Sequence, residues 1–317
     1  MKNLSIIKLH FYFIILCLFP ELLFTSDYAI KIQKINDGVW MYNPDNNENV
    51  RKITLSNIGI IEGEQYTMII DTGNSKSFSL KFLKELNNII TKPIKYLILT
   101  HRHFDHSFGI EAYLNKGISI YMDKNEFEML KSEGPRIKNM IFGNIKEPDQ
   151  IIDFKNILNL KINHVEDKKI LNLGNRKVLL KNVGRAHTRG DIVVYDFKSK
   201  SYFAGDLVFM GRAAAFSDAN VRLWLNKYEN IFNLPWLLIV PGHGSLIDRK
   251  ENLNQTKYWL KFVDNSVKRA IKQGDMISEV LDYKYPDRIK EIKFKDITLK
   301  RGIKKQIKIY EKKNYIE

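Results

Sequence analysis

A buried strand followed at once by metal-ligand side chains limits the fold of this chain more than any other feature. The strand is the apolar run 96–99, and the cluster after it reads His101, Arg102, His103, Phe104, Asp105, His106. Imidazole and carboxylate groups bind zinc, and they also serve iron and manganese. Only seven histidines occur in the 317 residues, so three in one hexapeptide are not expected by chance. The hexapeptide therefore predicts a metal site at the end of a strand.

Apolar runs and amphipathic stretches alternate along the chain, which predicts a single α/β domain. Runs 58–61 and 67–70 are separated by a short turn and predict a β-hairpin. The other predicted elements are helices 78–90, 109–114, 126–130 and 221–231 and strands 96–99, 118–122, 178–183, 192–195, 202–204 and 237–240. Residues 134–167 show no clean periodicity and are predicted to form a connecting or lid region. Asp248 is predicted to cap a long helix that runs to Ile271.

The hexapeptide resembles the H-x-H-x-D-H signature of the metallo-β-lactamase superfamily and matches it in full. The resemblance implies further ligands downstream, each at the end of a strand, and the chain has a candidate for each. They are His187 in Gly-Arg-Ala-His-Thr-Arg-Gly-Asp, Asp206 in Ala-Gly-Asp-Leu-Val-Phe and His243 in Pro-Gly-His-Gly. The earlier Asp71-Thr72-Gly73 also resembles the family's aspartate turn, so the similarity covers roughly residues 35–250.

The resemblance also implies a fold, the αββα sandwich of the metallo-β-lactamases, in which two mixed sheets pack face to face with helices outside. A single domain is expected over residues 27–317, after a separate segment 1–26, and its last part is a helical carboxyl-terminal extension. Substrate specificity on such a scaffold lies in loops, here expected at 134–167 and 211–220.

A centre of two metal ions is implied by the same resemblance, as two zinc ions, with iron or manganese as alternatives. His101, His103 and His187 would bind the first ion, Asp105, His106 and His243 the second, and Asp206 would bridge them. Two cations about 3.5–4 Å apart can share a hydroxide that is nucleophilic at neutral pH. Asp105 would also be the catalytic proton shuttle. Asp71 would orient a ligand histidine.

The implied function is hydrolysis of a small ester, lactone, thioester or lactam. Arg185, Arg189 and Arg212 flank the expected site and could clamp an anionic substrate. One alternative on the same fold is a mononuclear iron dioxygenase that acts on a persulfide and needs fewer ligands. Another is a metal-binding accessory protein of a periplasmic quinoprotein system, because Thr-x-Gly-Asp after His187 and the Pro-Gly-His-Gly motif resemble the quinoprotein relay system zinc metallohydrolases.

The amino-terminal segment has the pattern of a secretory signal. Lys2 and Lys8 precede the apolar run 11–19, and cleavage is expected near Ser26. The chain is therefore expected to be exported, to the periplasm, and to contact a membrane only if the segment stays uncleaved as an anchor. Cys17 is the only cysteine, so the mature chain would have neither a disulfide nor a cysteine nucleophile.

The formal charge of +15 raises the question of nucleic-acid binding. The lysines are scattered, however, and the densest group lies in the final segment between Lys300 and Lys313. Ile303, Ile307 and Tyr310 recur there at helical spacing, which predicts a helix with a solvated basic face. The charge pattern therefore favours a small-molecule substrate over a nucleic acid.

Overall fold

The computed structural model describes residues 30–46, 56–143 and 150–312. One sheet contains β1 (Ile32–Asn36), β2 (Val39–Tyr42), β3 (Ile58–Glu62), β4 (Thr67–Ile70), β5 (Ile94–Ile98), β6 (Ser119–Met122) and β7 (Asn163–His164). The other contains β8 (Lys168–Asn172), β9 (Lys177–Gly184), β10 (Asp191–Asp196), β11 (Ser201–Phe203) and β12 (Leu238–Val240). Neighbours follow chain order in the first sheet, and the order β12-β11-β10-β9-β8 in the second. The predicted hairpin is confirmed, since β3 and β4 pair antiparallel.

The described residues form nine α-helices, and most of the longer ones cover the outer faces of the two sheets. They are α1 (Lys76–Leu86), α2 (Phe104–Ser107), α3 (Lys124–Phe142), α4 (Lys155–Leu158), α5 (Val221–Ile231), α6 (Lys250–Gln273), α7 (Ile277–Leu281), α8 (Asp287–Lys290) and α9 (Lys295–Lys312). One apolar cluster joins α1 and α3 to the larger sheet. A second joins α5, α6 and α9 to the smaller sheet.

The strands place successive side chains on opposite faces of each sheet. In β4, Met68 and Ile70 belong to an apolar cluster that contains side chains of both sheets, whereas Ile69 packs toward the helices. In β10, Val194 belongs to the same shared cluster, and Val193 packs toward α5 and α6. The central strands of both sheets are therefore buried on both faces, and the predicted αββα sandwich is confirmed.

Parallel pairing brings the ends of several strands to one edge of the sandwich. β4 pairs parallel with β5, and β11 pairs parallel with β12, so the carboxyl ends within each pair are neighbours. Asp71 follows β4 and His101 follows β5, whereas Asp206 and His243 follow β11 and β12. His187 lies in the connection between β9 and β10. The sheet topology thus brings the polar side chains that follow the strands together at one edge of the sandwich.

The prediction of a connecting region at 134–167 is wrong for its first part, because α3 continues through Pro135 to Phe142. A proline inside a helix removes one backbone hydrogen bond. Phe127 and Phe142 are nevertheless buried on the same helix. A Cβ added to Gly134 would lie 2.3 Å from the ring of Phe154. The glycine before the proline therefore allows close packing within the helix and does not end it.

Two further predictions of local structure need correction. The long helix α6 begins at Lys250 after Arg249, and no side chain caps it. The backbone becomes helical only after Arg249, so Asp248 stands one residue before the capping position. The helix predicted at 109–114 is a short 3₁₀ helix, Ile110–Tyr113, which ends where Leu114 becomes extended.

The amino-terminal segment predicted to be a signal or anchor, residues 1–26, lies outside the described residues. Within the ranges that are described, no helix is long and apolar enough to cross a membrane. The carboxyl-terminal part after Arg249 is helical, and on α9 Ile303 and Tyr310 are buried while Lys300 and Lys304 are exposed. The predicted basic face of the last helix is thus confirmed.

Candidate metal centre

The structure brings the seven predicted ligands together as two adjoining groups. One group holds His101, His103, His187 and Asp206, the other Asp105, His106 and His243, and within each group the candidate ligand atoms lie within 4.8 Å of one another. In the first group, His103 Nδ1 lies 3.1 Å from both His101 Nε2 and His187 Nε2. In the second, His243 Nε2 lies 3.1 Å from Asp105 Oδ2. The seven side chains come from four segments at one edge, namely the hexapeptide 101–106 and the connections that contain His187, Asp206 and His243.

The carboxylate of Asp206 lies between the two groups. Its Oδ2 is 3.2 Å from His187 Nε2 and 3.8 Å from His101 Nε2. Its Oδ1 is 3.1 Å from His106 Nε2 and 3.4 Å from His243 Nε2. Each oxygen therefore faces one group, so this carboxylate could contribute a ligand atom to a cation on either side.

The close approach of Asp206 to the histidine loop depends on a glycine. A Cβ added to Gly242 would lie 2.1 Å from Asp206 Oδ1, which no larger residue could accept without moving the carboxylate. The Gly242 amide also donates to Gly205 O at 2.7 Å. The glycine before His243 thus lets the loop after β12 lie directly against the turn after β11.

Two buried atoms at the centre test whether a cation fits there. His106 Nε2 and Asp206 Oδ1 are fully buried, and neither makes a hydrogen bond. A buried polar atom without a partner costs about 1–3 kcal/mol, so an arrangement that leaves two such atoms facing each other is typical of ligands for an ion. The donor set of five imidazoles and two carboxylates suits a divalent transition metal. The residues present therefore fit metal ions.

The predicted role of Asp71 in orienting a ligand-type histidine agrees with its contacts. Its Oδ2 lies 2.8 Å from His106 Nδ1, and its two oxygens accept from the Thr100 amide and hydroxyl at 2.8 and 2.9 Å. The Thr100 hydroxyl also lies 3.1 Å from His101 Nδ1. A hydrogen bond to the outer ring nitrogen fixes the orientation and tautomer of a histidine, so these contacts turn the Nε2 atoms of His101 and His106 inward.

The other two histidines of the first group are oriented by the loop 213–220, which the sequence predicts only as part of a specificity loop. His187 Nδ1 lies 3.0 Å from the carbonyl oxygen of Ala215, and its ring packs edge-on against Trp224. His103 Nε2 lies 3.1 Å from Asp218 Oδ2. Asp218 lies in a loop without any motif, so no sequence pattern could have identified it.

A buried glutamate connects the hexapeptide to the loop of His187. Glu126, on α3, accepts from the Arg102 guanidinium at 3.1 Å and from the Arg189 amide at 2.9 Å. Arg102 also donates to Asp218 at 2.8 Å. Arg102 is 3% exposed and Glu126 is fully buried. This buried pair fixes the position of the hexapeptide relative to the loop that contains His187.

Burial and mutual charge perturb the ionisation of the cluster. Burial lowers the pKa of His101 well below its ordinary value, and the rings of His106 and His103 act in the same direction. Burial opposes protonation of His106 as well, but Asp206, Asp105 and Asp71 outweigh it and raise its pKa well above the ordinary value. Burial also raises the pKa of Asp191 to about 6. Strongly perturbed groups gathered in one place are typical of a functional site.

The three arginines expected to flank the site differ in their surroundings. Arg185 and Arg189 are exposed. Arg212 is largely covered, its buried Nε makes no hydrogen bond, and its guanidinium lies 5.0 Å from the centroid of the Phe294 ring. Burial lowers the pKa of Arg212, and the carboxylates of Asp206 and Asp105 oppose that shift. Arg212 is thus close enough to the centre for its positive charge to interact with the carboxylates of Asp206 and Asp105.

Comparisons with known proteins agree with this geometry. Residues 52–243 match the sequence profile of the metallo-beta-lactamase superfamily. The chain is 25% identical over 228 residues to a type 2 metallo-beta-lactamase of Bacillus sp. (strain 170), covering 70% of this chain and 79% of that one. It is 28% identical over 204 residues to a probable metallo-hydrolase of Methanocaldococcus jannaschii, covering 61% and 90% of the two chains.

Solved structures show the same fold. A metallo-beta-lactamase from Pontibacter korlensis superposes with a TM-score of 0.57 at 19% identity, covering 74% of this chain and 99% of that one. The sec-alkylsulfatase Pisa1 from Pseudomonas sp. gives a TM-score of 0.68 at 13% identity, covering 87% of this chain and 50% of that one. The profile match spans more than half of the 317 residues, and the chain belongs to the metallo-beta-lactamase superfamily.

Proposed function

We propose that this protein is a hydrolase with two metal ions, most simply zinc, that cleaves a small ester, lactone, thioester or lactam. The observation that supports the proposal most strongly is the position of Asp206, with one oxygen toward each histidine group. Two bound cations would supply an acidified water as nucleophile and would polarise the bond to be cleaved. The protein's own residues must then hold the ions, orient the substrate and move a proton.

Asp105 is our choice for proton transfer. Its Oδ2 lies 3.1 Å from His243 Nε2, so the carboxylate is held at the second ligand group. Its side chain is 10% exposed, compared with 4% for Asp206 and 4% for Asp71. A leaving group can therefore reach Asp105 more easily than either of the other carboxylates. A general acid or base at such a position accelerates hydrolysis by about 10²–10⁴-fold.

The alternative of a mononuclear iron dioxygenase is less well supported. One ion would need only one of the two ligand groups. Asp105, His106 and His243 would then form a second buried group of ligand atoms without a role. The same argument weighs against a simple accessory protein, because such a role needs no carboxylate that faces two groups at once.

Removal and return of metal test the proposed hydrolysis. Protein treated with a chelator and then dialysed is expected to cleave no member of a panel that contains a small ester, a lactone, a thioester and a lactam. Addition of Zn²⁺ is expected to restore cleavage of at least one member, since bound ions would supply the activated water. Cleavage that survives complete removal of metal, or a zinc-loaded protein inactive on the whole panel, would contradict the proposal.

Arg212 is proposed to bind an anionic group of the substrate. In Arg212→Met we expect the KM for a carboxylate-bearing substrate to rise about 10- to 100-fold, because a hydrogen bond to a charged group contributes about 1.5–3 kcal/mol. The kcat should change little if the contact is equal in ground and transition states. Arg301→Met, at an exposed position on α9, is the matched control. An unchanged KM in Arg212→Met would remove the residue from substrate binding.

A further inference from the structure

The last helix of the described residues, α9, lies beyond the residues 52–243 that match the superfamily profile, yet it holds a loop of the candidate metal centre. Gln306 on α9 is fully buried. Its amide nitrogen donates to Phe216 O at 3.0 Å and to Ala219 O at 2.9 Å. Its amide oxygen accepts from the Val221 amide at 3.3 Å. One side chain therefore fixes three backbone groups within and directly after loop 213–220.

The helix also packs on this loop at a distance that only glycine permits. A Cβ added to Gly302 would lie 2.3 Å from the ring of Phe216, and that ring is fully buried. A bulkier residue would push the loop away from α9. The contact between helix and loop is thus specific in both shape and hydrogen bonding.

An ion pair extends the contact from α9 to a histidine of the centre. Lys305 Nζ lies 2.8 Å from Asp218 Oδ1, and Asp218 Oδ2 lies 3.1 Å from His103 Nε2. The Arg102 guanidinium also lies 2.8 Å from Asp218 Oδ2, so two cationic side chains contact this carboxylate. The carboxylate is thus a charged acceptor for the outer nitrogen of His103, whose Nδ1 faces the cluster.

The support given by loop 213–220 is confined to one ligand group. The loop contacts His103 through Asp218 and His187 through the Ala215 carbonyl, and both histidines belong to the group that contains His101. In the other group, His106 is oriented by Asp71, which lies outside the loop. A change in the loop should therefore affect the two groups unequally.

We propose that Asp218 is a positioning residue for the ion held by His101, His103 and His187, and that α9 keeps it in place through Lys305. The proposal rests on the metal centre of the proposed function. Acceptors behind a ligand histidine typically change metal affinity by about 10–100-fold when they are removed. Asp218 would fix the orientation of the His103 ring with Nδ1 toward the ion. Lys305 would restrict the motion of the Asp218 carboxylate.

The test uses the full-length protein and Zn²⁺ alone, with affinities measured by competition against a chromophoric chelator. Asp218→Asn should weaken one of the two zinc equivalents about 10- to 100-fold and leave the other unchanged. Lys305→Gln should weaken the same equivalent by at most about five-fold, because an exposed ion pair contributes about 1 kcal/mol or less. Lys305→Arg should bind as the wild type does. Lys304 is exposed on the same helix, so Lys304→Gln is the control for the loss of one positive charge.

Cadmium-113 NMR of the Cd²⁺-loaded variants adds a readout that a loss of general stability would not imitate. Asp218→Asn should shift the resonance of one bound ion and leave the second in place. Equal affinities and unchanged spectra for Asp218→Asn and Lys304→Gln would overturn the proposal, as would equal weakening of both equivalents. Because these measurements need no substrate, failure to hydrolyse any ester or lactam would contradict the proposed function and leave this inference standing.

Discussion

Replacing Asp206 by alanine is expected to reduce the bound metal from about two equivalents per chain to well below one. Both groups of histidines lose a ligand at once, because each oxygen of Asp206 faces a different group. Ligands that remain hold each ion less tightly, and metal binding is coupled to the stability of the folded site. Elemental analysis after dialysis against a weak chelator measures the loss. His103→Ala should also lose metal, starting with the ion of its own group.

The control for this prediction is Asp167→Ala, which removes a carboxylate at an exposed position. It should retain the wild-type metal content, and circular dichroism should show that both variants are folded. A folded Asp206→Ala protein that keeps two equivalents would mean that Asp206 does not bridge two ions. The assignment of the two groups as one centre would then be wrong.

Asp105→Asn is expected to lose hydrolysis by about 10²–10⁴-fold even when metal is present in excess. An amide has nearly the shape of the carboxylate but lacks its negative charge and cannot take up the proton. Because Asp105 contacts His243, weaker metal binding is also expected, so activity must be compared at saturating Zn²⁺. The rate of substrate cleavage, with Asp167→Asn as control, gives the measurement. Activity within a few-fold of the wild type would remove Asp105 from the mechanism.

Much of the site could be predicted because the hexapeptide resembles a known family signature, which implied the later ligands at the ends of strands. Asp71, His101 and Asp206 each stand within a few residues of a strand end, and parallel pairing brings those ends to one edge. The hairpin of β3 and β4 could also be predicted from the sequence, since its two apolar runs are separated only by a short turn. Local sequence patterns are enough to predict a contact when strand pairing determines which residues become neighbours.

The rest of the site depends on contacts between distant parts of the chain. Asp218 and Lys305 are 87 residues apart and still form an ion pair, and neither lies in a motif. Lys305 was interpreted from the sequence only as part of a solvated face. The extension of α3 through Pro135 was missed for a related reason, since Gly134 packs against Phe154 from another segment. Such packing is set by the folded structure and leaves no periodic pattern.

The metal content of the wild-type protein, purified from its native compartment, tests the central claim most directly. Elemental analysis should find about two equivalents of metal per chain, most simply zinc, because two largely buried ligand groups both contact the Asp206 carboxylate. Two equivalents of iron or manganese would keep the dinuclear centre and change only the identity of the ions. A single equivalent of iron in fully folded protein would contradict the account and favour the mononuclear dioxygenase.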